Sequence, residues 1–110
     1  MAWKIEYLRE VHEDLKNLDK PAKLQVLKAI VKVSENPLPQ SEGGYGKALG
    51  NHQSSKLSGY FKIKLVKLGI RVVYGLIREM DVMRVIIVSV RKDETVYKMA
   101  EKRIKEKAEQ

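Results

Sequence analysis

The stretch YFKIKLVKLGIRVVYGLIREMDVMRVIIVSV, residues 60–90, decides how this chain folds. Its apolar residues recur with a period of two, the mark of β-strands. YFKIKLV (60–66) and IRVVYGLI (70–77) read as two strands around KLG, where Gly69 can take a positive φ. REMD (78–81) makes the next turn. VMRVIIVSV (82–90) is a third strand, so nearly continuously apolar that it is expected to be central and covered on both faces. Residues two apart share a face of a strand, so Ile63 and Leu65 oppose Lys62 and Lys64. In the next strand Ile70, Val72 and Tyr74 form one face, and Arg71, Val73 and Gly75 the other. Pairing the apolar sets fixes the register and brings Arg71 to the side of Lys62 and Lys64. Gly75 is expected roughly across from Lys62, leaving room above the sheet. The hairpin offers no carboxylate on that face, and like charges facing each other across a sheet are mildly destabilising. A solvated sheet face accounts for such residues as well as a binding face does, so spacing alone leaves the two readings level.

Upstream, WKIEYL (3–8) alternates and predicts a short half-buried strand with Trp3, Ile5 and Tyr7 on one side. REVHEDLKNL (9–18) switches period. Leu8, Val11, Leu15 and Leu18 fall on one helix face. Asp19 is a fitting N-cap and Pro21 suits a first helical turn, so a second helix begins there. Its predicted apolar face is Leu24, Leu27, Ile30, Val31 and Val33. Asn36-Pro37 ends it, because a residue before proline avoids the helical region. Residues 36–58 lose all periodicity and predict a long loop. DETVYKMAEKRIKEKAEQ (93–110) predicts a last helix, capped by Asp93 or Thr95, with a thin stripe of Val96, Ala100 and Ile104. Its tail, 105–110, is charged enough to fray.

The order is β-α-α-β-β-β-α in one domain spanning 1–110. The expected fold is a small α+β domain. Its four-stranded sheet is mainly antiparallel, with the two N-terminal helices on one face and a C-terminal helix.

The chain has 110 residues, 44% of them hydrophobic, enough for one core. Its 22 Lys and Arg against 14 Asp and Glu give a formal charge of +8, and the pI is about 9.7. Such an excess favours nucleic acid, an anionic surface or an acidic protein partner. There is no cysteine, which excludes a disulfide framework and a thiolate metal site. MAWKIEYLRE lacks the apolar core of a signal peptide, and no apolar run approaches the ~20 residues that span a bilayer. A cytoplasmic protein is expected.

The segment from Leu57 to Ile104 resembles the RelE branch of the RelE/ParE toxin superfamily. The resemblance rests on the KIKL…G-x-R-x-V-Y hairpin, the apolar strand ending in SV, and the closing VYKMAEKRI helix, in that order. GKALGNHQSSKLSG also resembles the loop before that hairpin in such toxins, and the first two helices agree in order and length. The resemblance implies a toxin encoded beside an antitoxin. When free, such a toxin enters the ribosomal A site and cuts mRNA by attack of a ribose 2′-OH on the adjacent phosphate, without metal or cofactor. It implies catalytic roles for Lys62, Lys64 and Arg71, and for Tyr97 against the substrate. The family's second arginine falls just after the third strand. There VRKDETVY looks about two residues shorter than usual, so Arg91 or Lys92 fills the place. The antitoxin implied is acidic or carries a segment that wraps the sheet.

These residue types suit the reaction. It needs a base for the 2′-OH, an acid for the leaving 5′-oxygen, and positive charge on the phosphorane. Crowded cations ease one another's deprotonation, so Lys62 or Lys64 is the candidate base. Arg71 is the candidate phosphate stabiliser, because arginine stays charged and clamps phosphate. Lys47 and Lys56 are candidate RNA contacts. His12 and His52 lack ligand spacing and read as surface residues, with a minor RNA contact the alternative for His52. Tyr74 alternates with the core set and reads as structural. Lys102, Arg103, Lys105 and Lys107 read as a solvated helix face. Two rival functions share the fold or the charge: a ParE-like inhibitor of DNA gyrase, and a nucleic-acid-binding module without chemistry.

Overall fold

The structure, a computed structural model, describes residues 2–49 and 57–108. Five strands form one sheet: β1 (Lys4–Tyr7), β2 (Lys47–Ala48), β3 (Tyr60–Leu65), β4 (Ile70–Ile77) and β5 (Val82–Ser89). Three helices accompany them: α1 (Arg9–Lys16), α2 (Lys20–Ser34) and α3 (Asp93–Ala108). The strand order is β1-β5-β4-β3-β2. β1 runs parallel to β5 and every other pair is antiparallel.

The expected sheet of four strands is thus a sheet of five. The added β2 lies inside the segment read as an irregular loop. It is only two residues long and is defined by backbone pairing with β3, so it carries no alternation to read. The hairpin follows its pattern closely. Gly69 closes the β3–β4 turn at φ 66°, and Asp81 takes φ 53° before β5. Asp19 caps α2 by accepting a hydrogen bond from the Ala22 amide at 2.9 Å.

The apolar stripe of α2 is rotated from the predicted one. Val26 and Ile30 are buried, whereas Leu24 and Val31 are half exposed, at 50% and 53%. Apolar residues span a wide arc of this helix, so the period admits two stripes and packing selects one. α1 lies against β5, and α2 against β1 and β3. On their side Tyr74, fully buried, stacks near Phe61 and donates its hydroxyl proton to the Pro37 carbonyl at 2.9 Å. α3 crosses the other side of β4 and β5, burying Val96, Tyr97 and Ala100. It remains helical through Ala108, further than its charged tail predicts.

β5 carries an irregularity. Val73 pairs with Ile87 but Tyr74 pairs with Val85, so Ile86 is an extra residue on β5. β1 also ends here, its last register pair being Tyr7 with Val85. The outer edge of β5 beyond Val85 is therefore without a strand neighbour. An ion pair between two helices closes it. Asp14 of α1 accepts from the Val88 amide at 3.0 Å. Arg103 of α3 donates to the Ile86 carbonyl at 3.0 Å and to both Asp14 oxygens, at 2.6 and 2.9 Å. Both side chains are 13% exposed, so Arg103 does not belong to the solvated face expected for it. Unpaired edge groups and an unpaired buried charge both cost stability.

We predict that Asp14→Ala lowers stability by about 3 kcal/mol, because it strands Arg103 and the Val88 amide together. Urea unfolding checks this, and a loss below about 0.5 kcal/mol would mean that water replaces the carboxylate without penalty.

Candidate nucleic-acid interface

The register of the sheet arranges the basic side chains in rows. Directly opposed residues share a face. Lys47, Lys62, Val73 and Ile87 are successive Cα partners across β2, β3, β4 and β5. In the next row Lys64 faces Arg71, and Arg71 faces Ser89. On the other flank Tyr60 faces Gly75, Gly75 faces Arg84, and Arg84 faces Glu6. Lys62, Lys64 and Arg71 therefore do share one face, and Lys47 extends it.

The partner of Gly75 is Tyr60 rather than Lys62. The space over the glycine is filled by that ring, since a Cβ there would lie 2.5 Å from Tyr60 Cε1. Burial raises the Tyr60 phenol above its ordinary value, with the Arg84 charge opposing. Arg84 in turn bonds Glu6 through Nε.

The cations also have a carboxylate partner, which the hairpin sequence does not contain. Asp93, the first residue of α3, accepts from Lys64 Nζ at 3.0 Å through one oxygen and from Arg71 Nε through the other. Arg71 Nη1 further donates to the Arg91 carbonyl at 3.0 Å. Burial works to raise the Asp93 carboxyl, but the hydrogen bonds and charges of Lys64 and Arg71 outweigh it and hold it below the usual carboxylate range. By sequence Asp93 reads only as a helix cap. A signal for more existed: an acid follows Arg91 and Lys92 at the point where α3 returns to the hairpin.

Tyr97 lies one turn into α3 and is 2% exposed. Burial raises its phenol, the Asp93 charge adds to this, and Arg71 opposes it. The phenol thus sits close to the cluster, protonated, with its ring in the core. Stacking on a base would require α3 to shift. Arg91 and Lys92 are both exposed in the link from β5 to α3, and the Arg91 amide donates to Ser89 Oγ at 3.1 Å. Lys62 is half-buried and makes no hydrogen bond or ion pair among the described residues. Lys56 and His52 lie outside the described residues. His12 is exposed beside the Tyr7 ring, at 6.1 Å between centroids. Among the described residues no group of three or more His, Cys, Asp or Glu is arranged to hold a metal ion. No helix among them is long and apolar enough to cross a membrane.

A five-stranded sheet bearing a basic hairpin under a C-terminal helix is the arrangement to compare with known folds. No protein-family model and no curated protein matches the chain. Solved structures do. The free Escherichia coli toxin RelE, as a double arginine-to-alanine mutant, matches with TM-score 0.72 and 28% identity, over 94% of this chain and 99% of that one. The same mutant toxin in complex with an antitoxin RelBc peptide matches with TM-score 0.66 and 26% identity, over 91% and 95%. The RelBE2 toxin–antitoxin complex of Mycobacterium tuberculosis matches in fold, with TM-score 0.65 at 18% identity, over 83% and 93%. The chain shares its fold with these RelE structures.

The Asp93 pairing gives a pH prediction. A carboxyl lowered by folding adds stability above its unfolded value of ~4, and that stability is lost as pH falls through the lower folded value. Wild type should melt above Asp93→Asn near neutral pH, and the gap should close below about pH 4. A gap that stays constant from pH 7 to pH 3 in thermal melts would rule out the pairing as its source.

Proposed function

We propose that this chain is the toxin of a toxin–antitoxin pair and acts as a ribosome-dependent mRNA endoribonuclease that inhibits translation. The observation that carries the reading is the convergence of Lys64 and Arg71, opposed across two strands, on one oxoanion. A pair that holds the two oxygens of a carboxylate has the donor arrangement for two oxygens of a phosphodiester. The likeness to RelE, whose structures include one with an antitoxin peptide, supports both the toxin role and an antitoxin partner.

In this reading the ribose 2′-oxygen attacks the adjacent phosphorus, and the P–O5′ bond breaks to leave a cyclic phosphate. Lys62, or Lys64 once its carboxylate contact is released, takes the 2′-OH proton. Arg71 stabilises the charge on the non-bridging oxygens. Its guanidinium is oriented by the Arg91 carbonyl, which restricts it without neutralising it. Arg91 or Lys92, exposed beside the site, supplies the second cation and the proton for the 5′-oxygen. The protonated Tyr97 under the cluster serves as a support for Arg71, or reaches the substrate when α3 shifts. Lys47 and Lys56 contact flanking phosphates, the source of a salt-dependent affinity.

We predict that adding the protein to a translation extract produces mRNA ends phased to codons. Arg71→Ala should reduce them about 100-fold or more, as expected for losing a charge-stabilising donor. Lys62→Ala with Lys64→Ala should cut cleavage by about 100-fold or more while changing stability by less than ~1 kcal/mol. Intact mRNA alongside blocked DNA supercoiling would instead identify a gyrase inhibitor. Equal losses of cleavage and of folded protein would sink the catalytic role of the face.

A further inference from the structure

Asp93 engages two of the cations that the proposed chemistry needs. We propose that Asp93 is a specificity-determining residue, a resident carboxylate that occupies the phosphodiester seat formed by Lys64 and Arg71, so that RNA enters by exchanging with it. The inference rests on the phosphate-binding part of the proposed function and adds the residue that controls entry.

The exchange is one for one in charge and in donors. Asp93 presents two oxygens with one negative charge, one to Lys64 Nζ and the other to Arg71 Nε. A phosphodiester presents two non-bridging oxygens with one negative charge. Leaving the seat gives up the ion pair, which an incoming anion replaces, and does not unpack the helix. Asp93 is the first residue of α3, and its side chain is 23% exposed, so it can rotate outward about its own bonds. α3 stays in place through Val96, Tyr97 and Ala100 in the core, and through Arg103 on Asp14.

The exchange also sorts anions. A lone phosphodiester that displaces Asp93 replaces one negative charge by another and gains little. A strand of RNA brings further phosphates to Lys62 and Lys47, in the adjacent row, which the carboxylate does not reach. Entry therefore favours a polyanion that spans the rows over a single anion, and RNA loading becomes steeper in the number of phosphates engaged.

The test uses a fluorescein-labelled RNA decamer with every 2′-OH methylated, which binds but is not cut by 2′-OH attack. Its affinity is read by fluorescence anisotropy at low salt. Asp93→Asn should bind about tenfold more tightly than wild type, equivalent to ~1.4 kcal/mol. Asp93→Ala, which removes the carboxylate without leaving an amide, should do the same. Glu94→Gln, an exposed neighbour carrying the same charge change, should gain less than about twofold, since a solvated charge acts weakly. In an Arg71→Ala background the gain from Asp93→Asn should shrink to that of Glu94→Gln. Equal gains at 93 and 94, weaker binding by Asp93→Asn, or no binding by that variant would each overturn the proposal. Ribosomal cleavage by the same proteins separates the two ideas. Tighter Asp93→Asn binding with no cleavage by any variant keeps the exchange and ends the nuclease reading. Cleavage by wild type with no gain in Asp93→Asn binding does the reverse.

Discussion

The register of β3 against β4 is the constraint on which the rest of the molecule depends. Lys64 is locked opposite Arg71 because Ile63 and Val72, partners in the neighbouring row, must both face the helices. A slip of one residue would send the lysines into the core and the apolar residues into solvent. Gly69 in the left-handed region lets the turn be made without consuming either strand. The hydrophobic requirement on one face thus sets the charge geometry of the other. The like charges so opposed are tolerable because a carboxylate arrives from elsewhere in the chain.

That carboxylate comes with α3, and α3 is held at two places by ion pairs of opposite polarity. Near its start an acid reaches cations of the sheet, and further along Arg103 reaches an acid of α1 and a carbonyl of β5. Neither contact is a simple surface salt bridge, which would contribute little. Asp93 offsets repulsion between two cations. Asp14 and Arg103 satisfy backbone groups that the short β1 leaves unpaired, and such groups are costly when orphaned. The extra residue Ile86 belongs to the same economy of the edge. It falls where β1 has stopped, and its carbonyl is the one that Arg103 takes.

Much of this was legible in the sequence, and the gaps have physical causes. Alternation located β1, β3, β4 and β5 to within a residue or two, and the Asp19 cap placed the start of α2. Lys62, Lys64 and Arg71 were assigned to one face by parity, which is a local property. β2 was hidden because a two-residue strand is defined by its partner. The α2 stripe differs from the predicted one because its apolar residues span a wide arc of the helix, and spacing does not say which edge of that arc packs. The ion pairs were invisible for another reason. Asp14 with Arg103, and Asp93 with Lys64 and Arg71, join positions far apart in the chain, and side-chain periodicity carries no information about such pairs. On sequence alone Arg103 reads as a solvated helix charge and Asp93 as a cap, and neither pattern names a partner. Lys56 and His52 lie outside the described residues, so the fold neither adds them to the basic face nor removes them.

The two anchors of α3 are separable, and this separates binding from folding. Asp93 and Arg103 are ten positions apart, about 15 Å along a helix at 1.5 Å per residue. The core contacts of Val96, Tyr97 and Ala100 lie between them. Rotation of one carboxylate at the N-terminus therefore need not loosen the pair that seals β5. The basic face can trade its internal anion for an external one while the helix stays packed. Moving Tyr97 is a different matter. Its ring is in the core between those anchors, so exposing it to a base requires displacing the helix itself, at the cost of buried apolar contacts. Anion exchange at Asp93 and exposure of Tyr97 are therefore events of different energy. A substrate that engages the cations does not, by that contact alone, reach the tyrosine.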